Sequence, residues 1–332
     1  MVLNRNLNIS YSKTCLRVDT IPDLEYNYPM AVRTPPRPKL PPLPKAPLLS
    51  VCIPARNEEG NIGKAIDVIS TTLYAENIPF EIVIANDNST DGTATVVRER
   101  MERGIPILLI NRRPPGGFGR AIRSCLTHAR GDIIAIVMAD LSDDPKNLID
   151  YYRVICSGYD AAFGSRFMPG SKVTDYPRVK LIANRLGNKL IQLLFRTEHN
   201  DLTNAFKAFR GDAIRSVMPF YASHFNITIE ISLGLLVRGF SIASLPINWY
   251  GRTWGRAHFK IRELGRRYFA TMCKAFAEKL FIHDDILAEH SVKLLHLDSG
   301  GPQESVESTP EDEKRVGNRG SWVRGFSHSV EN

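Results

Sequence analysis

Cysteine is scarce and scattered: the five residues Cys15, Cys52, Cys125, Cys156 and Cys273 include no C-x-x-C pair. That spacing argues against a zinc centre and against a disulfide framework, and leaves reduced packing residues. No uninterrupted apolar run is long enough to span a bilayer, and Met1 to Tyr11 lacks the apolar stretch of a signal peptide. A cytoplasmic chain, associated with the inner face of a membrane at most peripherally, is expected. No repeat of fixed period is visible. Aromatic residues are not interleaved with Arg and Lys in a nucleic-acid-binding pattern, so nucleic acid is not an expected partner.

The chain has 332 residues, of which 43% are hydrophobic and 23% charged, enough to bury a substantial core. Its formal charge of +8 favours anionic partners, among them phosphorylated substrates and membrane surfaces. Seven prolines between Pro35 and Pro47 make an extended lead that cannot form helix or central strand. From Leu48 onward apolar runs alternate with helical patterns: Leu48–Ile53 then Ile62–Leu73, Phe80–Ala85 then Thr93–Met101, Ile107–Ile110 then Arg120–Ala129, Ile133–Val137 then Leu148–Ile155. This βαβ alternation predicts an α/β fold with a mainly parallel central sheet flanked by helices. A long helix is expected over Val179–Phe195, a short apolar piece at Ala205–Phe209, a helix around Ile227–Val237 and a strand-like Ser241–Trp249. The expected organisation is a Pro-rich segment (1–47), one α/β domain (48–259), a basic amphipathic helix (260–289) and a disordered tail (290–332). In that helix Ile261, Leu264, Tyr268, Met272 and Phe276 recur at helical spacing among Lys260, Arg262, Arg266, Arg267 and Lys274.

Chemistry concentrates where strands end. The run Val137-Met138-Ala139-Asp140-Leu141-Ser142-Asp143-Asp144 ends an apolar strand with three carboxylates packed into five residues. Ligands of open α/β sheets bind beyond the carboxyl ends of strands, and clustered oxygen donors suit Mg²⁺ or Mn²⁺ carrying a diphosphate. The competing reading is a solvated turn that caps a helix begun by Pro145. The first strand runs into Pro54-Ala55-Arg56-Asn57-Glu58-Glu59 and the second into Asn86-Asp87-Asn88-Ser89-Thr90-Asp91-Gly92-Thr93. Asp91 fits a helix cap, whereas Asp87, at the strand's very end, is placed to accept hydrogen bonds from a nucleobase or ribose. Gly116-Gly117-Phe118-Gly119 lacks the third glycine of a dinucleotide fingerprint and reads as a turn that lets a helix pack closely.

These segments, with Ala139-Asp140, Gly164-Ser165-Arg166, Asp201-Leu202-Thr203-Asn204-Ala205-Phe206-Lys207, Glu230, Arg252-Thr253-Trp254-Gly255 and Phe259-Lys260, follow the order seen in family 2 glycosyltransferases. The chain most resembles the dolichyl-phosphate mannosyltransferase and polyprenyl-phosphate sugar transferase branch, over roughly Leu48 to Phe281. The resemblance implies a GT-A (Rossmann-like) fold, a nucleotide-sugar donor such as GDP-mannose or a UDP-hexose, and Mg²⁺ or Mn²⁺. It also implies inverting transfer to a polyprenyl phosphate acceptor. Carried over by position, Pro54, Asn57, Glu58 and Asp87 hold the nucleoside. Asp140 binds metal and diphosphate, Gly164-Ser165-Arg166 faces sugar and acceptor phosphate, and Arg252 with Lys260 meets the diphosphate. Two motifs depart from the family. Met138 stands where many relatives carry Asp, and a thioether is no ligand for a hard cation, so Asp143 or Asp144 is expected to compensate. Ala257-His258 replaces a Ser-Lys pair. The competing functions are a transferase acting on a soluble or other lipid-linked sugar acceptor, and a catalytically degenerate scaffold. Lys172 to Arg196 and the helix after Lys260, both rich in basic residues, are the expected membrane-facing segments.

Overall fold

A computed structural model describes residues 37–251 and 265–282. Arg252, Lys260, His258 and the tail from 290 onward lie outside these residues. Seven strands alternate with helices: β1 (Leu49–Ala55), α1 (Glu59–Ala75), β2 (Phe80–Asn86), α2 (Thr93–Glu102), β3 (Ile107–Asn111), α3 (Phe118–His128), β4 (Ile133–Ile136), α4 (Asn147–Cys156) and β5 (Ala161–Ser165). There follow α5 (Arg178–Phe195), β6 (Lys207–Arg210), α6 (Gly211–Ser216), α7 (Ile227–Val237) and β7 (Ile242–Pro246). A last helix, α8, covers 265–282.

The strands form one sheet in the order β3-β2-β1-β4-β6-β5-β7. Neighbours from β3 to β4 are parallel, as are β5 and β7, while β6 is antiparallel to both β4 and β5. Every strand except β6 therefore ends on the same rim, and β6 begins there. This is the mainly parallel sheet that the alternation predicts. β6 corresponds to the short apolar piece at Ala205–Phe209, and its reversed direction had no sequence signal.

Both faces of the sheet are covered, which is why the strands are near-continuous apolar runs. Val51, Ile53, Ile82, Ile84, Ile133 and Ala135 point into one layer with Ile62, Ile66 and Ile69 of α1 and Leu148 of α4. Cys52, Val83, Ala85, Ile134 and Ile136 point into the other, with Ile122 of α3 and Leu233 of α7. α7 is buried at ten of its eleven positions, as an apolar helix without a polar face must be.

The described part of the Pro-rich lead, 37–47, has neither helix nor strand and is clamped to the domain. The Arg37 guanidinium reaches Asp160, which is buried at the start of β5, at 2.9 and 3.0 Å. Arg210 bonds the carbonyl of Pro41, and the Tyr152 hydroxyl donates to that of Pro47 at 3.0 Å. Burial opposes the charge on Asp160, but hydrogen bonds from Arg37 and Ser241 outweigh it and hold the carboxyl below its ordinary range. In α8, Met272 and Ala275 are buried, the Tyr268 hydroxyl donates to the Phe225 carbonyl at 3.1 Å, and Lys274 reaches Glu230 at 3.0 Å. That side of the helix packs on its own domain.

Candidate active site

The register Ala55↔Asn86 makes the loops after β1 and β2 emerge side by side. Both turn through left-handed backbone at Asn57 (φ 53°) and Asn88 (φ 58°), a conformation Asn accepts more readily than most side chains. Side chains then tie the loops together. The Asn57 amide donates to Ser89 Oγ at 3.0 Å, the Thr90 amide to Asn57 Oδ1 at 2.8 Å, and the Glu58 amide to Thr93 Oγ1 at 2.9 Å. Pro54 sits inside β1, Asn57 is exposed, and buried Glu58 accepts the Asn61 side-chain amide at 2.7 Å. Asp91 accepts from the Thr93 amide at 3.0 Å, but the residue that caps α2 is Gly92, not Asp91.

Asp87 is buried at the end of β2. Its carboxylate takes the Gly117 amide at 2.6 Å and pairs with Arg112, which follows β3. Gly117 has φ 151°, and a Cβ there would meet the Ser223 carbonyl; one on Gly119 would meet that of Ala222. The glycine run thus lets α3 pack against the 222–224 segment, as its sequence suggests.

β4 lies beside β1, and the Val137 amide extends their pairing to the Cys52 carbonyl at 3.0 Å. Beyond it the chain turns at Leu141 (φ 52°), a strained conformation for a bulky apolar residue. Asp140 is half-buried, and its Oδ1 takes the Ser142 amide at 3.1 Å. Asp143 is only 2% exposed and faces inward, and its Oδ1 has no hydrogen-bond partner. Burial lifts its carboxyl to about 7, with Arg166 opposing and the negative charges of Asp140 and Asp201 reinforcing. Asp144 accepts the Lys146 amide at 3.0 Å ahead of α4.

The three aspartates expected as ligands are therefore placed differently from one another: Asp140 on the rim, Asp143 beneath it, Asp144 at a helix start. Among the described residues, no three His, Cys, Asp or Glu side chains converge as a metal-binding group. Asp140, with the unbonded oxygen of Asp143 near its charge, still fits a hard cation of the Mg²⁺ type. Such ions use one or two protein carboxylates and complete their shell with substrate phosphates and water.

On the far side of β4, Arg166 follows β5 and turns inward. Its Nε and Nη2 meet Asp201 at 2.7 Å each, its main-chain amide meets the same carboxylate at 3.1 Å, and Nη1 reaches the Tyr176 hydroxyl at 3.4 Å. The rings of Phe167 and Tyr176 lie 5.4 and 5.6 Å away. Burial works against this charge, and the Asp201 carboxylate more than offsets it, raising the guanidinium above its ordinary value. Lys207, at the start of β6, is fully enclosed and donates to the carbonyls of Leu202 at 2.8 Å, Thr228 at 3.4 Å and Asn204. Burial brings its amine down to about 7. Burial, helped by Lys207, likewise lowers His199 to about 4, so that ring is neutral. Arg166, expected to face the acceptor phosphate, is thus engaged in a buried pair. Asp201 and Lys207 lie in a segment that the family resemblance marks, but nothing in the sequence shows that they are buried, since charged side chains ordinarily read as surface.

Residues 50–218 match the model of glycosyl transferase family 2. The chain belongs to that family. The glycosyltransferase AglD of Haloferax volcanii is 30% identical over 205 residues, 60% of this chain and 33% of that protein. The dolichol-phosphate mannosyltransferase of Pyrococcus furiosus is 26% identical over 217 residues, 64% and 59% of the two chains. The polyprenol monophosphomannose synthase of Mycolicibacterium smegmatis is 24% identical over 233 residues, 65% and 86%. The chain therefore spans a third to three-fifths of the first two relatives. Among solved structures, glucosyl-3-phosphoglycerate synthase from Mycobacterium tuberculosis, in complex with Mn²⁺, UDP and glucosyl-3-phosphoglycerate, superposes with a TM-score of 0.53. It is 20% identical and covers 70% of this chain and 80% of its own. The fold is of the GT-A type.

Proposed function

We propose that this chain transfers a hexose from a nucleotide diphosphate sugar to a polyprenyl phosphate, with inversion at the anomeric carbon. The observation that carries the reading is the shared rim: carboxylates Asp87 and Asp140 leave the ends of β2 and β4, the two strands flanking β1, in a family 2 sheet. The names of the Pyrococcus and Mycolicibacterium relatives support the acceptor class. In this reading Pro54, Asn57, Glu58 and Asp87 surround the nucleoside, and Asp140 faces the diphosphate. Arg252 and Lys260, outside the described residues, are assigned to the diphosphate from their motif alone.

A bound Mg²⁺ or Mn²⁺ would supply charge neutralisation for the departing diphosphate. Asp140 would hold it, with the unbonded oxygen of Asp143 available to help. An acceptor phosphate oxygen forms a bond to the anomeric carbon as the bond from that carbon to the donor β-phosphate oxygen breaks, and the electron pair leaves on the nucleoside diphosphate. A phosphate monoester has a second pKa of about 6, so the nucleophile is already anionic and no strong general base is required. The protein's task is alignment and electrostatic stabilisation. Arg166 serves here as a positioning residue: locked to Asp201, it fixes the Tyr176 and Phe167 rings at the rim.

The test is transfer of label from GDP-mannose or from UDP-glucose to a detergent-dispersed polyprenyl phosphate, with Mn²⁺, Mg²⁺ or chelator. Metal-dependent labelled lipid that disappears in Asp140→Asn is expected. Transfer only to a soluble sugar phosphate would replace the acceptor, and no turnover of any nucleotide sugar would leave a scaffold.

A further inference from the structure

The outer side of α5 is apolar where a helix on a soluble domain is polar. At 3.6 residues per turn, Val179, Ile182, Leu186, Leu190 and Leu193 fall within an arc of roughly 80°. Buried Asn188 and Phe195 lie on the opposite side of the helix. Val179, Leu186 and Leu193 are 68, 70 and 74% exposed. Arg178, Arg185, Lys189 and Arg196 line one border of this stripe, within roughly 40° of one another. None of these four has a carboxylate partner among the described residues, and α5 contains no Asp or Glu.

α8 meets the end of α5 on its buried side. Phe276 packs edge-on to Phe195 at 6.1 Å and Lys279 donates to the Phe195 carbonyl at 3.2 Å, while Phe269, Leu280 and Phe281 are exposed. The other end of α5 adjoins the rim, where the Tyr176 hydroxyl takes hydrogen bonds from Arg166 and from Asn184.

We infer that the outward face of α5 docks on an anionic lipid bilayer, lying in the interface plane. A large apolar stripe bordered by unpaired cations is the pattern of interfacial helices. A second copy of the chain is a poor occupant, because it would bring the same cation row to the seam and no carboxylates from α5. The inference rests on the proposed lipid acceptor, and the docking face places the rim beside the leaflet that would carry it.

Vesicle flotation tests it, using the full chain with phosphatidylcholine vesicles that contain or lack phosphatidylglycerol. Flotation with the anionic vesicles is expected. It should fall by about tenfold or more in the doubly substituted Leu186→Gln, Leu193→Gln chain and by about fivefold in Lys189→Ser. Both substitutions are on the surface, so unchanged melting and unchanged turnover with a short-chain, water-soluble acceptor phosphate should accompany the loss. Wild-type protein that stays with the soluble fraction, or a double variant that floats like wild type, overturns the inference, and so does a wild-type dimer that the double variant dissolves. If transfer to dispersed polyprenyl phosphate persists without flotation, the docking face fails and the reaction stands. Flotation without transfer to any lipid phosphate would have the opposite meaning.

Discussion

The two halves of the rim hold their loops by different physics. On the β1–β2 side, backbone amides are satisfied by the side chains of Asn57, Ser89 and Thr93, and Asp87 is paired with Arg112. On the β5–β6 side, Asp143, Arg166, Asp201 and Lys207 are all buried. Neutral hydrogen bonds contribute about 1 kcal/mol each, so the first half can readjust around a ligand. Buried ions are tolerated only with their partners in place, so the second half has a single workable arrangement. The lesson is that half of this site is adaptable and half is rigid, and substitutions should separate them.

The largest effect is expected on the rigid side. Asp201→Ala leaves the Arg166 guanidinium buried without its partner and should cost about 3–5 kcal/mol of unfolding free energy, measured by urea denaturation. A loss no greater than that of a surface substitution would remove the contrast. Next comes Asp140→Asn, expected to lower turnover by about 10²–10³, or roughly 3–4 kcal/mol in the barrier, with melting close to wild type. Here a drop in stability matching the drop in rate would mean that Asp140 is structural.

The pH dependence of stability sharpens the same contrast. Asp143 titrates near 7 when folded, against about 3.9 when unfolded. Between these values the folded chain binds more protons, so this residue makes stability fall as pH rises from about 4 to 7. Lys207 titrates near 7 when folded, against about 10.4 when unfolded. The unfolded chain then binds more protons above 7, and stability rises from about pH 7 to 10. Together the two groups place a trough near neutrality. Asp143→Asn should flatten its acid arm by up to a few kcal/mol, read from denaturation midpoints across pH; an unaltered arm would show the carboxyl to be solvated. The smallest effect belongs to the adaptable side: Thr93→Val removes the bond to the Glu58 amide and should cost about 1 kcal/mol, with a higher KM for the donor and little change in kcat.

Much of the fold was legible because parallel strands buried on both faces must be apolar runs, and their alternation with helices leaves few topologies. β1 to β4 lie where their Val- and Ile-rich segments indicate. β5 was not marked, because Ala161-Ala162-Phe163-Gly164-Ser165 is short and has no β-branched aliphatic residue. Asp87 and Asp140 were findable as carboxylates ending strands. The inward turn of Asp143 and Arg166 was not, because a charged side chain in a loop is ordinarily solvated and only neighbours from the segment leading into β6, Asp201 foremost, reverse that. The basic helix after Lys260 was visible as a pattern, but the pattern gave no sense of direction: Met272 packs inward while Phe269 and Phe281 point out.

The clamp at Arg37 has a practical consequence for anyone trimming this chain. An expression boundary set at the first strand, or at the family match beginning at 50, would strip the guanidinium from a carboxylate sealed under the α4–β5 turn. The functional unit extends upstream of its own first strand, and the prolines that forbid regular structure there act as a stiff strap that delivers one arginine to its lock.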